Sequence, residues 1–139
     1  LGSCGNYTRG LWAGGGSSDV IDYITIATAG NATDFGDLVA TRSLLSGLAS
    51  ETRGVFGGGS SSNVMEYVTI STTGDASDFG DLTVARGYLA GLASRTRGIF
   101  GGGNASGTTI DYITIATLGN ATDFGDLTAD RNPLAGLSA

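Results

Sequence analysis

The chain has 139 residues, enough for one ordinary domain, with 25 Gly, a single Pro and 40% apolar residues. That balance excludes collagen, which needs a G-X-Y period, and a disordered linker, which would lack the Ile, Val, Leu and Phe present here. Seven Arg, no Lys, no His and 13 acids give a net charge of −6. This argues against a nucleic-acid or anionic-membrane partner and removes the usual general base.

In chain order, the lone Cys4 cannot make an internal disulfide or a metal site, and reads as a small strand residue. The stretch Thr8-Arg9-Gly10-Leu11-Trp12-Ala13-Gly14-Gly15 returns as Thr52-Arg53-Gly54-Val55-Phe56-Gly57-Gly58-Gly59 and again from Thr96 to Gly103. Arg9, Arg53 and Arg97 are 44 residues apart, and Tyr23, Tyr67 and Tyr112 follow them by 14, 14 and 15 residues. Asp-Phe-Gly-Asp-Leu recurs at 34–38, 78–82 and 123–127, and Arg42, Arg86 and Arg131 close the units. A period of this length indicates a repeat architecture, because one unit cannot cover its own apolar surface and neighbours must stack. One repeat domain over 1–139 is expected, with units of about 1–41, 42–85 and 86–130 and a spare strand over 131–139.

Each unit reads as four short strands. In the central unit these are 45–50, 53–57 and 64–71, then, after a turn at 74–78, a short strand through 79–82. No segment keeps a 3.6-residue apolar period, and no apolar run approaches the ~18 residues of a membrane span. No charged-then-apolar signal peptide is seen, and the first residue is Leu1, so a processed chain or a piece of a longer one is left open. In the third strand of the first unit, Ile21 and Tyr23 are expected on one face and Ile24 and Ile26 on the other. That pattern suits a sheet covered on both sides, as in a propeller blade.

These residues resemble a kelch-type β-propeller repeat. Gly58-Gly59 corresponds to its glycine doublet, Tyr67 to its first aromatic residue and Arg86 to the Arg before the next blade, while Phe79 or Leu82 stands where the family has Trp. The literal strings TRGVFGGG and DFGDLTVAR resemble more closely the glycine-rich repeat arrays of structural proteins of tailed phages, marine and cyanobacterial ones especially. That resemblance implies a virion or tail protein, in a virion or extracellular setting, and brings no catalytic residue with it.

Glycine triplets either present backbone N–H groups to an anion or let a strand end turn and backbones crowd near an axis. A phosphate loop needs Lys, which is absent, so the structural reading is preferred. Asp34, Asp37, Asp78, Asp81, Asp123 and Asp126 are the candidate binding residues. Such oxygens suit Ca²⁺, but the D-x-D-x-D-G spacing is missing, so no cofactor or metal is assigned and Asx turns are the alternative. Acids of the Asp81 type are also expected to pair with Arg of the same or the next repeat. Trp12 is expected in the core, and Asp19, Glu51, Tyr88, Arg95 and Asp130 break the repeat without forming a recognisable set.

The expected function is a non-enzymatic structural or adhesive module; a lectin-like glycan-binding propeller is the alternative. A hydrolase is disfavoured because nearly all the acids recur in every unit, whereas a catalytic pair needs unique neighbours. Three blades are too few for a propeller, which has about four to eight. A homodimer completing six blades, a longer parent chain or a fibre-like stack is therefore expected, with other virion proteins or a surface glycan as partners.

Overall fold

A computed structural model describes residues 1–136. It is all-β, with twelve strands: β1 (Gly2–Gly5), β2 (Arg9–Ala13), β3 (Val20–Thr25), β4 (Thr33–Asp37), β5 (Ser46–Ala49), β6 (Arg53–Gly57), β7 (Val64–Thr69), β8 (Ser77–Asp81), β9 (Ala90–Ala93), β10 (Arg97–Gly101), β11 (Thr109–Thr114) and β12 (Thr122–Asp126). They form three four-stranded antiparallel sheets, each made of consecutive strands in the order β1–β4, β5–β8 and β9–β12. The sheets are three propeller-like blades in an open row. Among the described residues no helix is long and apolar enough to cross a membrane. Residues 137–139 of the expected spare strand 131–139 lie outside the described residues.

The repeat in sequence is a repeat in register. Arg9 faces Thr25, Arg53 faces Thr69 and Arg97 faces Thr114 across the second and third strands. Every third–fourth strand pair is interrupted at one matched place, at Ile21/Asp22, Met65/Glu66 and Ile110/Asp111. The interruption leaves Phe35, Phe79 or Phe124 as the extra residue on the fourth strand, a β-bulge. Each Phe then meets the Tyr of its own blade edge-on, at centroid distances of 5.7, 6.1 and 6.0 Å. The fourth strand of the central unit begins at Ser77, inside the turn expected over 74–78, because the paired strand before the bulge includes Ser77 and Asp78.

The core lies between blades. Leu11, Ile21, Phe35 and Leu38 of the first blade pack on Phe56, Val68 and Ile70 of the second. Val55, Met65, Phe79 and Leu82 of the second pack on Phe100, Ile113 and Ile115 of the third. The middle sheet is thus covered on both faces, while the first, whose third strand carries that expectation, is covered by described residues on only one, leaving Ile26 55% exposed. Trp12 corrects an expectation. Phe56 and Phe100 at the same repeat position are fully buried, but Trp12 is 36% exposed, because no sheet among the described residues covers that face of the first blade.

The innermost strands β1, β5 and β9 approach backbone to backbone. A Cβ on Gly47 or on Gly91 would lie 2.5 Å from the carbonyl oxygen of Ser3 or of Gly47 respectively, so only glycine allows this spacing. The glycines after the second strands do a different task. Gly14, Gly58 and Gly102 have φ of 65°, 71° and 67°, a left-handed turn that glycine adopts freely, and each sits under the carbonyl of Arg42, Arg86 or Arg131.

Phe56 has no exposed surface, whereas Ser61 is exposed in a loop. Phe56→Ala is expected to cost about 3–5 kcal/mol and Ser61→Ala to be near neutral. Denaturant melts of the two variants check this, and equal midpoints would remove Phe56 from the core.

Candidate functional site

Four of the six recurrent Arg residues are consumed by the joints between blades. Arg9, Arg53 and Arg97 lie over the rings of Tyr23, Tyr67 and Tyr112 at 4.6, 4.5 and 4.6 Å. From there Arg9 Nη1 donates to the Ile70 carbonyl at 2.8 Å and Arg53 Nη1 to the Ile115 carbonyl at 2.7 Å, each in the next blade.

The second set forms buried ion pairs across the joints. Arg42 Nη2 meets Glu66 Oε1 at 2.6 Å, and Arg86 Nη1 meets Asp111 Oδ2 at 2.8 Å. Arg42 also donates to the carbonyls of Gly58 and Val64, and Arg86 to those of Gly102 and Phe100. Burial lowers the pKa of Arg42 while the Glu66 charge pushes it back up. The expected pairing of Arg with acids of the Asp81 type is therefore corrected. The partners are Glu66 and Asp111, which stand on the third strands facing the preceding blade, while Asp81 stands on a fourth strand at the periphery. The signal in the sequence is the acid before each repeated Tyr (Asp22, Glu66, Asp111), a carboxylate inside an otherwise apolar strand.

The predicted loop acids occupy the outer edge. Asp34, Asp37, Asp78, Asp123 and Asp126 are exposed and Asp81 is half-buried. Asp34 and Asp123 accept from the backbone N–H of Gly36 and Gly125, both at 3.2 Å, closing Asx turns over the bulge. The Asp37 N–H donates to Asp75 Oδ1 at 3.1 Å and the Asp81 N–H to Asn120 Oδ1 at 3.0 Å, so these loops bind the next blade. The Asp37 carboxyl is raised above its ordinary pKa, first by desolvation and then by the charges of Asp19, Asp75 and Asp34. Among the described residues no group of three or more acidic, Cys or His side chains is placed to hold a metal ion.

A different constellation lies at one end of the inner strands. The turns β1–β2, β5–β6 and β9–β10 surround an open cavity of about 270 Å³. The first residue of each turn holds the turn, and Asn6 Nδ2 also donates to the Glu51 carbonyl of the neighbouring turn at 2.7 Å. Asn6 Oδ1 accepts from the N–H groups of Thr8 and Arg9, Ser50 Oγ from those of Thr52 and Arg53, and Ser94 Oγ from those of Thr96 and Arg97. The second residue has no such task, and there the units differ: Tyr7, Glu51 and Arg95. Tyr7 is 81% exposed, and Glu51 and Arg95 form an exposed pair at 3.5 Å. A phenol ring, a carboxylate and a guanidinium thus converge on one mouth. Sequence reasoning finds Glu51 and Arg95 as repeat-breaking residues but has no means to bring them together across 44 residues. The loop acids line neither this cavity nor one of about 280 Å³ between the outer parts of the second and third blades.

A scan against protein-family models gave no match, and no curated protein matches the chain.

Two outcomes follow from the joints. Asp111→Ala leaves Arg86 buried without its counter-charge and is expected to cost about 3–5 kcal/mol, while Asp111→Leu combined with Arg86→Met recovers much of the loss. Chemical denaturation of the single and double variants measures both. The Cys4 thiol packs onto Gly54 of the second blade, and burial pushes its pKa from 9.0 to about 12. A raised pKa favours the neutral thiol in the fold, so this stabilisation is present below pH 9 and is lost as pH rises towards 12. A thiol reagent at about pH 8 should therefore label Cys4 only after denaturant unfolds the chain, and rapid native labelling would contradict an enclosed thiol.

Proposed function

We propose that the protein is a non-enzymatic structural and adhesive module, a kelch-like propeller element of a tailed-phage virion or tail. The observation that carries this reading is the division of labour within each repeat. The repeated Arg residues of the two joints, with Glu66 and Asp111, hold blade to blade, and the turn position of Tyr7, Glu51 and Arg95 presents varied chemistry to solvent around one cavity. Such a molecule is a frame with a display surface. The literal resemblance of TRGVFGGG and DFGDLTVAR to phage repeat arrays supports the virion setting. The glycine doublet Gly58-Gly59, with Tyr67 and Arg86, supports the kelch-like assignment.

The lectin-like reading is favoured by the same turn cavity. A sugar offers a C–H face to a phenol ring and hydroxyls to carboxylate and guanidinium groups, as Tyr7, Glu51 and Arg95 provide.

A glycan array with the wild-type chain and Tyr7→Ala, Glu51→Gln and Arg95→Ala variants tests both readings. Display at the turns predicts binding that weakens about tenfold or more in the variants, a loss of about 1.4 kcal/mol or more. Binding that survives all three substitutions moves adhesion away from the turns. Turnover of any glycoside or ester substrate would overturn the non-enzymatic reading.

A further inference from the structure

We infer that the cavity at the inner turns takes an acidic sugar, one ring bearing a carboxylate of the uronic-acid kind, and that Arg95 is the group that holds the carboxylate. The inference rests on the lectin-like reading of this cavity and names the class of ligand within it.

The hollow is made by small residues and kept open by locked turns. Gly5, Ala49 and Ala93 stand at the matched ends of β1, β5 and β9 and line it. None has a side chain beyond Cβ, and a Cβ on Gly5 would lie 2.6 Å from the Arg9 carbonyl oxygen, so nothing larger fits there. Each turn is closed by the N–H of its first residue, Asn6, Ser50 or Ser94, on the carbonyl of Arg9, Arg53 or Arg97, in each case at 2.9 Å. Asn6 Nδ2, on the Glu51 carbonyl at 2.7 Å, ties two of these turns together. A rim fixed in this way loses little freedom when a ligand arrives. At about 270 Å³ the hollow is just below the range of roughly 300–1,000 Å³ usual for small-molecule sites, which suits one sugar ring rather than a stretch of chain.

Arg95 decides the charge of the ligand. Six of the seven Arg belong to the two repeated series, and Arg95 is the seventh. Among the described residues its side chain makes no hydrogen bond, and its one ion pair is loose. Nε stands 3.5 Å from Glu51 Oε1, against about 2.7–2.9 Å for a charge-assisted hydrogen bond, and both side chains are more than half exposed. The fork of Nη1 and Nη2 therefore remains for a ligand, and two N–H donors in one plane match the two oxygens of a carboxylate. Glu51 selects against phosphate, because a group carrying about two negative charges is repelled more strongly by a neighbouring carboxylate than a group carrying one. Glu51 itself accepts sugar hydroxyls. Tyr7, 81% exposed and without a hydrogen bond among the described residues, offers its ring to the C–H face. The net charge of −6 opposes an anion at long range, but beyond ~8 Å it is largely screened at physiological salt, and contact with Arg95 prevails.

The test is a titration of the full chain, followed by NMR, with glucose, galactose and mannose and with the same rings carrying a carboxylate or a phosphate on the sixth carbon. At least one uronate should bind about tenfold or more tightly than both its parent hexose and the matching phosphate. Arg95→Lys keeps the charge and loses the fork, so it should remove that advantage while leaving the parent hexose within about twofold. Tyr7→Ala should weaken acid and parent alike. Circular dichroism melts keep loss of fold apart from loss of binding. If every uronate is held no better than its hexose, and hexose binding is lost in Tyr7→Ala, the inference is overturned and the lectin-like reading stands. A phosphate held as tightly as the uronate, or an advantage untouched by Arg95→Lys, would also overturn it. Binding of none of these sugars would overturn the inference and the lectin-like reading together.

Discussion

The contact on which the rest depends is the approach of one inner strand to the next. With no Cβ on Gly47 or Gly91, β1, β5 and β9 come together at backbone distance. That spacing decides how far apart the sheets stand, and hence which side chains span between them. At this distance Phe56 and Phe100 fill the layer and Arg42 and Arg86 reach the acids of the next blade. Widened by one methyl group at the axis, the same side chains would leave voids in an interior whose packing tolerates few of them.

The buried ion pairs suit this geometry because they are directional where apolar packing is not. A layer of Leu, Ile and Phe tolerates sliding; a guanidinium bound to a carboxylate and to backbone carbonyls does not. Removing two charges from water is costly, and replacing such a pair by apolar residues is often neutral or stabilising, so its value here lies in register. Arg86 is bonded to Asp111, Gly102 and Phe100 together, which fixes it relative to three points of the third blade.

The period, the strand content and the two-faced third strand are legible in the sequence because each is a local pattern: β-branched runs, glycine punctuation and repeated strings. The fourth strand reads two residues late, since Ser77 and Asp78 look like turn residues and are strand residues only because a bulge follows them. Trp12 reads as core because its burial depends on a neighbour that the first sheet lacks, and composition carries no information about neighbours. The Arg partners read as the more numerous acids, those of the Asp-Phe-Gly-Asp string, although the acid within the apolar strand is the one in reach. The turn constellation is the least legible part, since Tyr7, Glu51 and Arg95 share no motif and meet only because three hairpins stack in register.

The placing of the core between blades rather than within them has a consequence for how the molecule comes apart. Each blade touches only its neighbours, so stability is shared along a row: a middle sheet held from two sides, and two end sheets each held from one. A disturbance at the outer face of either end sheet must loosen that sheet before it is felt in the middle. The chain therefore behaves less like a globule with a single melting core than like a short stack, in which the ends exchange with solvent first and the middle sheet guards the longest-lived hydrogen bonds.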